Sequence, residues 1–165
     1  MTRWKYALTL FLSLTAALTL AVVPVPVWLH DYAPDWAVMT VVWWNLHRPN
    51  KASVGVGWLT GLALDILRFT TLGLHAFATT ATSYFAVRIN LQFRMFAVVQ
   101  KILIVLLLLA IYRIILFWIS GLAGNAVSSP AHWKPLLADL LVWPWLNALM
   151  HEILRRIEAK PATEN

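Results

Sequence analysis

The chain reads as long apolar runs separated by short polar breaks, with little of the strict alternation that marks half-buried strands. Six such runs can be drawn, over residues 6–23, 34–46, 54–67, 74–91, 95–120 and 136–154. Each predicts a helix, because a bilayer-spanning segment needs about 20 mostly apolar residues with all backbone polar groups paired internally. The fifth run is the longest. The second is too short to cross alone, so it must be tilted, capped by aromatic residues or shielded by neighbours. Pro24, Pro26 and Pro34 interrupt any helix between the first and second runs and predict an extended excursion there. Arg68, Thr70, Thr71 and Gly73 form the break between the third and fourth runs, and a Gly-, Ser- and Pro-containing loop over 121–135 precedes the sixth. The first run follows Arg3 and Lys5 in the manner of a secretory signal. Val23, Pro24, Val25 and Pro26 stand where a small-residue cleavage site would be required, which predicts an uncleaved anchor.

Positive charge orders these runs. Arg3 and Lys5, Arg48 and Lys51, Arg94 with Arg88 close by, and Arg155, Arg156 and Lys160 mark alternate ends and breaks, while the intervening breaks carry only Arg68 and Lys134. Short cytoplasmic loops accumulate Lys and Arg, so both termini are expected in the cytoplasm and the number of spans should be even. Asp31 and Asp35 fall in an outer loop on this reading. Trp28, Trp36, Trp43, Trp44, Trp118, Trp133 and Trp145 sit near the ends of the runs, where an indole prefers the headgroup level. Neither an internal repeat nor a soluble linker divides the chain, so residues 1–165 are expected to form a single transmembrane domain.

Composition agrees: 61% of the 165 residues are hydrophobic and 12% charged, against about 45–50% and about 25% in an ordinary soluble domain. The formal charge of +6 would raise nucleic acid as a partner, but the basic residues are scattered at the ends of apolar runs and form no stripe. Nucleic-acid binding is therefore not expected. The absence of cysteine excludes disulfides, thiolate metal sites and cysteine nucleophiles. Five histidines, His30, His47, His75, His132 and His151, lack the i, i+4 spacing of a helical metal site. Without a nucleophile elbow or a P-loop, the chain is not expected to be an enzyme or to carry a cofactor.

Ionisable groups at membrane depth are costly and are usually paired or turned toward a cavity. Asp65, Lys101, Arg113 and Asp139 are the candidates. Lys101 lies about two turns into the fifth run, within snorkelling reach of the inner interface. At about 1.5 Å per residue Arg113 stands roughly 27 Å above Met95, and Asp139 reaches a similar height in the sixth run. An intramembrane ion pair between Arg113 and Asp139 is expected, fixing helix register. Asp65 can pair with Arg68 three residues on or reach Arg113. Gly57 and Gly61 form a G-x-x-x-G on the third run, spaced for close approach of a second helix backbone, and Gly73 ends the break that follows.

Residues 34–89 also carry a family resemblance. Pro34 and Trp36 open a short helix, Arg48 lies in the following turn, and Gly55, Gly57, Gly61, Asp65, Leu72 and Gly73 follow in order; LLVWPWLNALM, with Trp143, Pro144 and Trp145, completes the pattern. Over residues 34–156 the chain resembles the MreD family of rod-shape-determining proteins, although Ala33 stands where many relatives carry a basic residue. The resemblance implies a noncatalytic inner-membrane scaffold of the bacterial elongation machinery, which supports rod shape and side-wall peptidoglycan synthesis. It implies MreC as a direct partner, with MreB, RodA and the elongation penicillin-binding protein in the same assembly and membrane lipid around the bundle. It also implies a six-helix all-α fold similar to the substrate-binding subunits of energy-coupling-factor transporters. That similarity, with Ala17 and Ala21 at small-x-x-x-small spacing, makes a small-molecule-binding transport subunit the alternative. A lipid-modifying enzyme using Asp65 and Asp139 comes third.

Overall fold

A computed structural model describes residues 2–122, 124 and 130–159. Lys160 and loop residues 123 and 125–129 lie outside the described residues, as do the side chains of Arg3 and Trp28. The described residues form six α-helices and no strand: α1 (Thr2–Val22), α2 (Trp36–His47), α3 (Val54–Leu67), α4 (Leu74–Met95), α5 (Val98–Leu122) and α6 (Lys134–Ala159). Single 3-10 segments, Val27–Tyr32 and Pro130–Trp133, lead toward α2 and α6. Each apolar run thus becomes one helix. The prolines at 24, 26 and 34 keep the α1–α2 connection out of α-helix, and Gly73 adopts φ +99°, a left-handed conformation that suits glycine. Helix α4 runs on to Met95, and α5 begins only at Val98, later than residue 95 where the apolar run starts.

Helix α2 is the axis of the bundle. It touches each of the other five helices, and every residue from Ala37 to Leu46 is buried. Twelve residues span only about 18 Å, well under the about 30 Å of a hydrocarbon core. Enclosure by neighbours is how so short a segment is accommodated. Trp44 Nε1 donates to Ser13 Oγ on α1 at 2.9 Å, and Trp43 Nε1 donates to Asn147 Oδ1 on α6 at 2.9 Å. These two indoles are core residues tied sideways to neighbouring helices, which differs from the headgroup anchoring expected of them; Trp118 and Trp145 do stay exposed.

Gly57 and Gly61 lie where α3 crosses α4. A Cβ on Gly61 would stand 2.5 Å from Ala76 Cα and from His75 O, both backbone atoms. One on Gly57 would stand 2.9 Å from Ser83 Cβ and 3.1 Å from Thr79 O. The absence of side chains lets the two backbones meet, and the Thr79 hydroxyl reaches the Gly57 carbonyl across the crossing at 2.8 Å.

The bundle keeps an apolar core but places polar side chains inside it and large apolar ones outside. Thr40, Asn45, Thr79, Thr82 and Ser83 are buried, while Phe11, Leu12, Leu107, Trp118, Leu141 and Trp145 are exposed. Such an exterior is much larger than the few hundred Å2 of apolar patch that a monomer tolerates in water, and it fits a membrane protein. Residues Trp4–Val22 of α1 and the whole of α5 are long and apolar enough to cross a bilayer.

Candidate functional site

One end of the bundle gathers buried charge from four elements. Pro34 turns the chain so that Asp35, at the entrance to α2, points inward, leaving its side chain 4% exposed. Arg113 on α5 donates from Nη2 to Asp35 Oδ2. Arg68, at the end of α3, brings Nη1 to 3.8 Å from Asp35 Oδ1. Asp139, fully buried on α6, accepts the Asp35 backbone N–H through Oδ1 at 2.7 Å. His132 Nε2 lies 3.0 Å from the Arg113 carbonyl, and Arg113 Nη1 lies 3.4 Å from the His132 carbonyl, which ties α5 to the approach to α6.

This arrangement corrects the expected ion pair. Among the described residues Arg113 is bridged to Asp35 and not to Asp139. Counting rise along the helices placed Arg113 and Asp139 at one height, but it treated Asp35 as an outer-loop residue facing water. The turn at Pro34 inserts the Asp35 carboxylate between them, and Asp139 is left to hold the start of the α2 backbone. Two arginines face two aspartates here, so the formal charges cancel within the cluster. Among the described residues, Arg113 Nε and Asp139 Oδ2 have no hydrogen-bond partner. Beside the cluster lies a cavity of about 450 Å3, walled by Asp35, Arg68, Arg113, the apolar end of α1 from Leu20 to Val22 and the following Val23.

Asp65 does something different. Its Oδ1 accepts the His75 N–H at 2.9 Å and the Thr70 hydroxyl at 2.9 Å, and its Oδ2 accepts the N–H groups of Gly73 at 2.9 Å and Ala76 at 3.2 Å. His75 Nδ1 adds a contact to Oδ1 at 2.8 Å. A carboxylate thus satisfies the orphan donors at the N-terminus of α4, where the helix dipole favours negative charge. Of the two partners open to Asp65 by spacing, neither is used: Arg68 turns to Asp35. Asp65→Ala is expected to leave these buried donors unpaired and to lower stability by about 2–3 kcal/mol, read as a lower unfolding temperature in detergent. Asp65→Asn, which keeps one carbonyl acceptor, should recover part of the loss.

Outside the bundle's core, Lys134 Nζ meets Asp31 Oδ2 at 2.8 Å, which holds the Asp31 carboxyl below its ordinary pKa and raises that of the Lys134 ammonium. At the opposite end Lys101 extends its ammonium to 5.8 Å from the Phe93 ring centre. Asp35, Thr70, His75 and His132 were not singled out from sequence as members of a site. Only Asp35 had a local signal, a carboxylate between a proline and the first residue of a helix. No group of three or more His, Asp or Glu residues suited to a metal occurs among the described residues. The cluster holds opposite charges in fixed geometry and includes no activated nucleophile.

The family model described as rod shape-determining protein MreD matches residues 2–153. The chain belongs to the MreD family. An MreD protein of Haemophilus influenzae, the rod shape-determining protein MreD, is 31% identical over 159 residues, covering 94% of either chain. No solved structure matches the chain. In this MreD chain the match extends through α1, which the residue pattern alone left recognisable only by hydrophobicity and position, and reaches every residue of the charged cluster.

Proposed function

We propose that this MreD-family chain is a noncatalytic inner-membrane scaffold that crosses the bilayer six times, with both termini in the cytoplasm, and holds MreC through lipid-embedded surfaces and its outer loops. MreB, RodA and the elongation penicillin-binding protein belong to the same assembly. The observation that carries this reading is family membership over nearly the whole chain, joined to an exterior rich in exposed Leu, Phe and Trp. Orientation draws support from contacts that gather basic residues at one end. Tyr6 of α1 and Arg48 after α2 both meet Glu158 near the end of α6, and Arg94 of α4 donates to the His47 carbonyl. Affinity-tagged chain is expected to retain MreC from detergent extracts, and a clean deletion should turn rods into spheres. Unchanged cell shape after deletion would argue against the scaffold.

A second reading, a small-molecule-binding transport subunit with the six-helix fold of energy-coupling-factor substrate-binding proteins, is favoured by the cavity of about 450 Å3 beside Asp35 and Arg113. It requires a small molecule to co-purify with the unaltered chain and to be lost from an Arg68→Gln variant.

A further inference from the structure

The opposite end of the bundle carries a second concentration of charge with a different balance. A cavity of about 720 Å3 opens between the ends of α2, α4 and α6, with Trp43, His47 and His151 at its aromatic side and Arg48, Arg94, Arg155 and Glu158 around it. A neighbouring cavity of about 540 Å3 shares Arg48 and Arg94 and adds Lys51 and Leu91. The two hollows therefore have one basic ridge in common.

Acidic groups cover only part of this ridge. Glu158 meets Arg48, and Glu152 meets Arg155 and Arg156 at 2.8 and 2.7 Å. Lys51 and Arg94 take part in no ion pair among the described residues. Arg94 gives one N–H to the His47 carbonyl at 3.0 Å, which orients the guanidinium and leaves its other donors available. Just outside the ridge Leu91 and Met95 are exposed by 74% and 82%. A guanidinium beside a lysine suits a phosphate, and apolar side chains immediately next to them suit acyl chains.

We propose that the ridge formed by Arg48, Lys51 and Arg94 binds the phosphate of an anionic phospholipid headgroup, with the acyl chains running along Leu91 and Met95. The exposed leucine and methionine favour a lipid over free phosphate, which would gain nothing from them. The site rests on the membrane reading above, and binding in detergent can be read whichever way the chain faces. A reporter fused to the C-terminus tests the topology separately.

Native mass spectrometry of the detergent-solubilised chain, titrated with phosphatidylglycerol or phosphatidylcholine, is the direct test. Phosphatidylglycerol adducts should form in preference to phosphatidylcholine adducts. Lys51→Gln with Arg94→Gln should weaken them about twenty-fivefold, at about fivefold for each basic group lost. Both side chains are exposed, so the double variant is expected to fold. Arg156→Gln removes a charge near the same helix end but outside either cavity and should change binding less than about twofold, because exposed charges are screened. The unaltered chain supplies a second measurement. Raising salt from about 0.1 M to about 1 M shortens the Debye length from about 10 to about 3 Å and should strip phosphatidylglycerol selectively. Equal retention of the two lipids, or equal loss in the double variant and Arg156→Gln, would overturn the proposal. Thermal protection by inorganic phosphate, without protection by phosphatidylglycerol, would overturn it in favour of a soluble ligand.

Discussion

Arg113→Leu is expected to destabilise the bundle by about 3–5 kcal/mol, the usual cost of stranding a buried charge by removing its partner. Arg113 is the close cation of Asp35, and among the described residues the only other guanidinium on that carboxylate, Arg68, stands off at 3.8 Å. Asp139 is buried against the same stretch of backbone, so two carboxylates would share one distant arginine. Thermal unfolding in detergent and the yield of monodisperse protein both report the loss. Adding Asp35→Asn to Arg113→Leu removes the stranded charge and should recover most of the stability. Arg113→Lys should fall between, since an ammonium keeps the charge but cannot offer the forked donor pair. The aspartates provide a sharper comparison. Asp139 holds a backbone N–H through one oxygen, a task that an asparagine carbonyl can also perform, so Asp139→Asn should cost far less than Asp35→Asn. A direct Arg113–Asp139 bridge would require the opposite order.

Gly61→Leu is expected to abolish recovery of folded protein, and Gly61→Ala to cost at least about 1–3 kcal/mol, the range for overpacking a close contact. The reason is the identity of the obstructing atoms. A new Cβ meets Ala76 Cα and His75 O at 2.5 Å, and backbone atoms of a helix cannot rotate away as a side chain can. Helix α4 would have to retreat, loosening the Asp65 cap at the same crossing. Gly57→Ala should be milder, because the nearest side-chain atoms belong to Ser83, although Thr79 O at 3.1 Å limits the room. Gly55→Ala is the control. Its Cβ would find Ser53 Oγ at 3.6 Å, an ordinary contact, and alanine's better helix propensity is worth up to about 1 kcal/mol. Unfolding temperatures ordered Gly55→Ala, Gly57→Ala, Gly61→Ala from highest to lowest would bear out this reading of the crossing; a flat series would refute it.

Much of the architecture was legible because its signals are local. Proline at 24, 26 and 34, glycine at 73 and the lengths of the apolar runs are properties of contiguous residues, and six helices follow from them. The shortness of the second run carried information of a less local kind, since it required shielding, and α2 is enclosed by the other five helices. The charged cluster was legible in its membership more than in its pairing. Arg113 and Asp139 stand out as charges in apolar runs, whereas Asp35 lies in a loop, and periodicity does not specify which way a loop residue points. The turn at Pro34 decides that, and with it the partner of Arg113. Asp65 was conspicuous for the same reason as Arg113, but its ligands are mostly backbone N–H groups contributed by Gly73, His75 and Ala76. Any sequence presents such groups at every position, so no residue pattern could mark them. Trp43 and Trp44 show the converse: near the end of a run an indole resembles an interfacial anchor, and only the neighbouring Ser13 and Asn147 reveal it as core.

The enclosure of α2 bears on how the chain is made. A helix of twelve residues spans only about 18 Å, so on its own it would draw its polar ends into a hydrocarbon core of about 30 Å. Of its five neighbours, α3, α4, α5 and α6 have yet to be synthesised when α2 emerges. The segment must therefore wait, held by the insertion machinery or resting beside α1 at the bilayer surface, until the later helices close around it. Biogenesis of this bundle is consequently a late event, and a nascent chain halted after α3 would hold α2 without the α4, α5 and α6 that complete its enclosure.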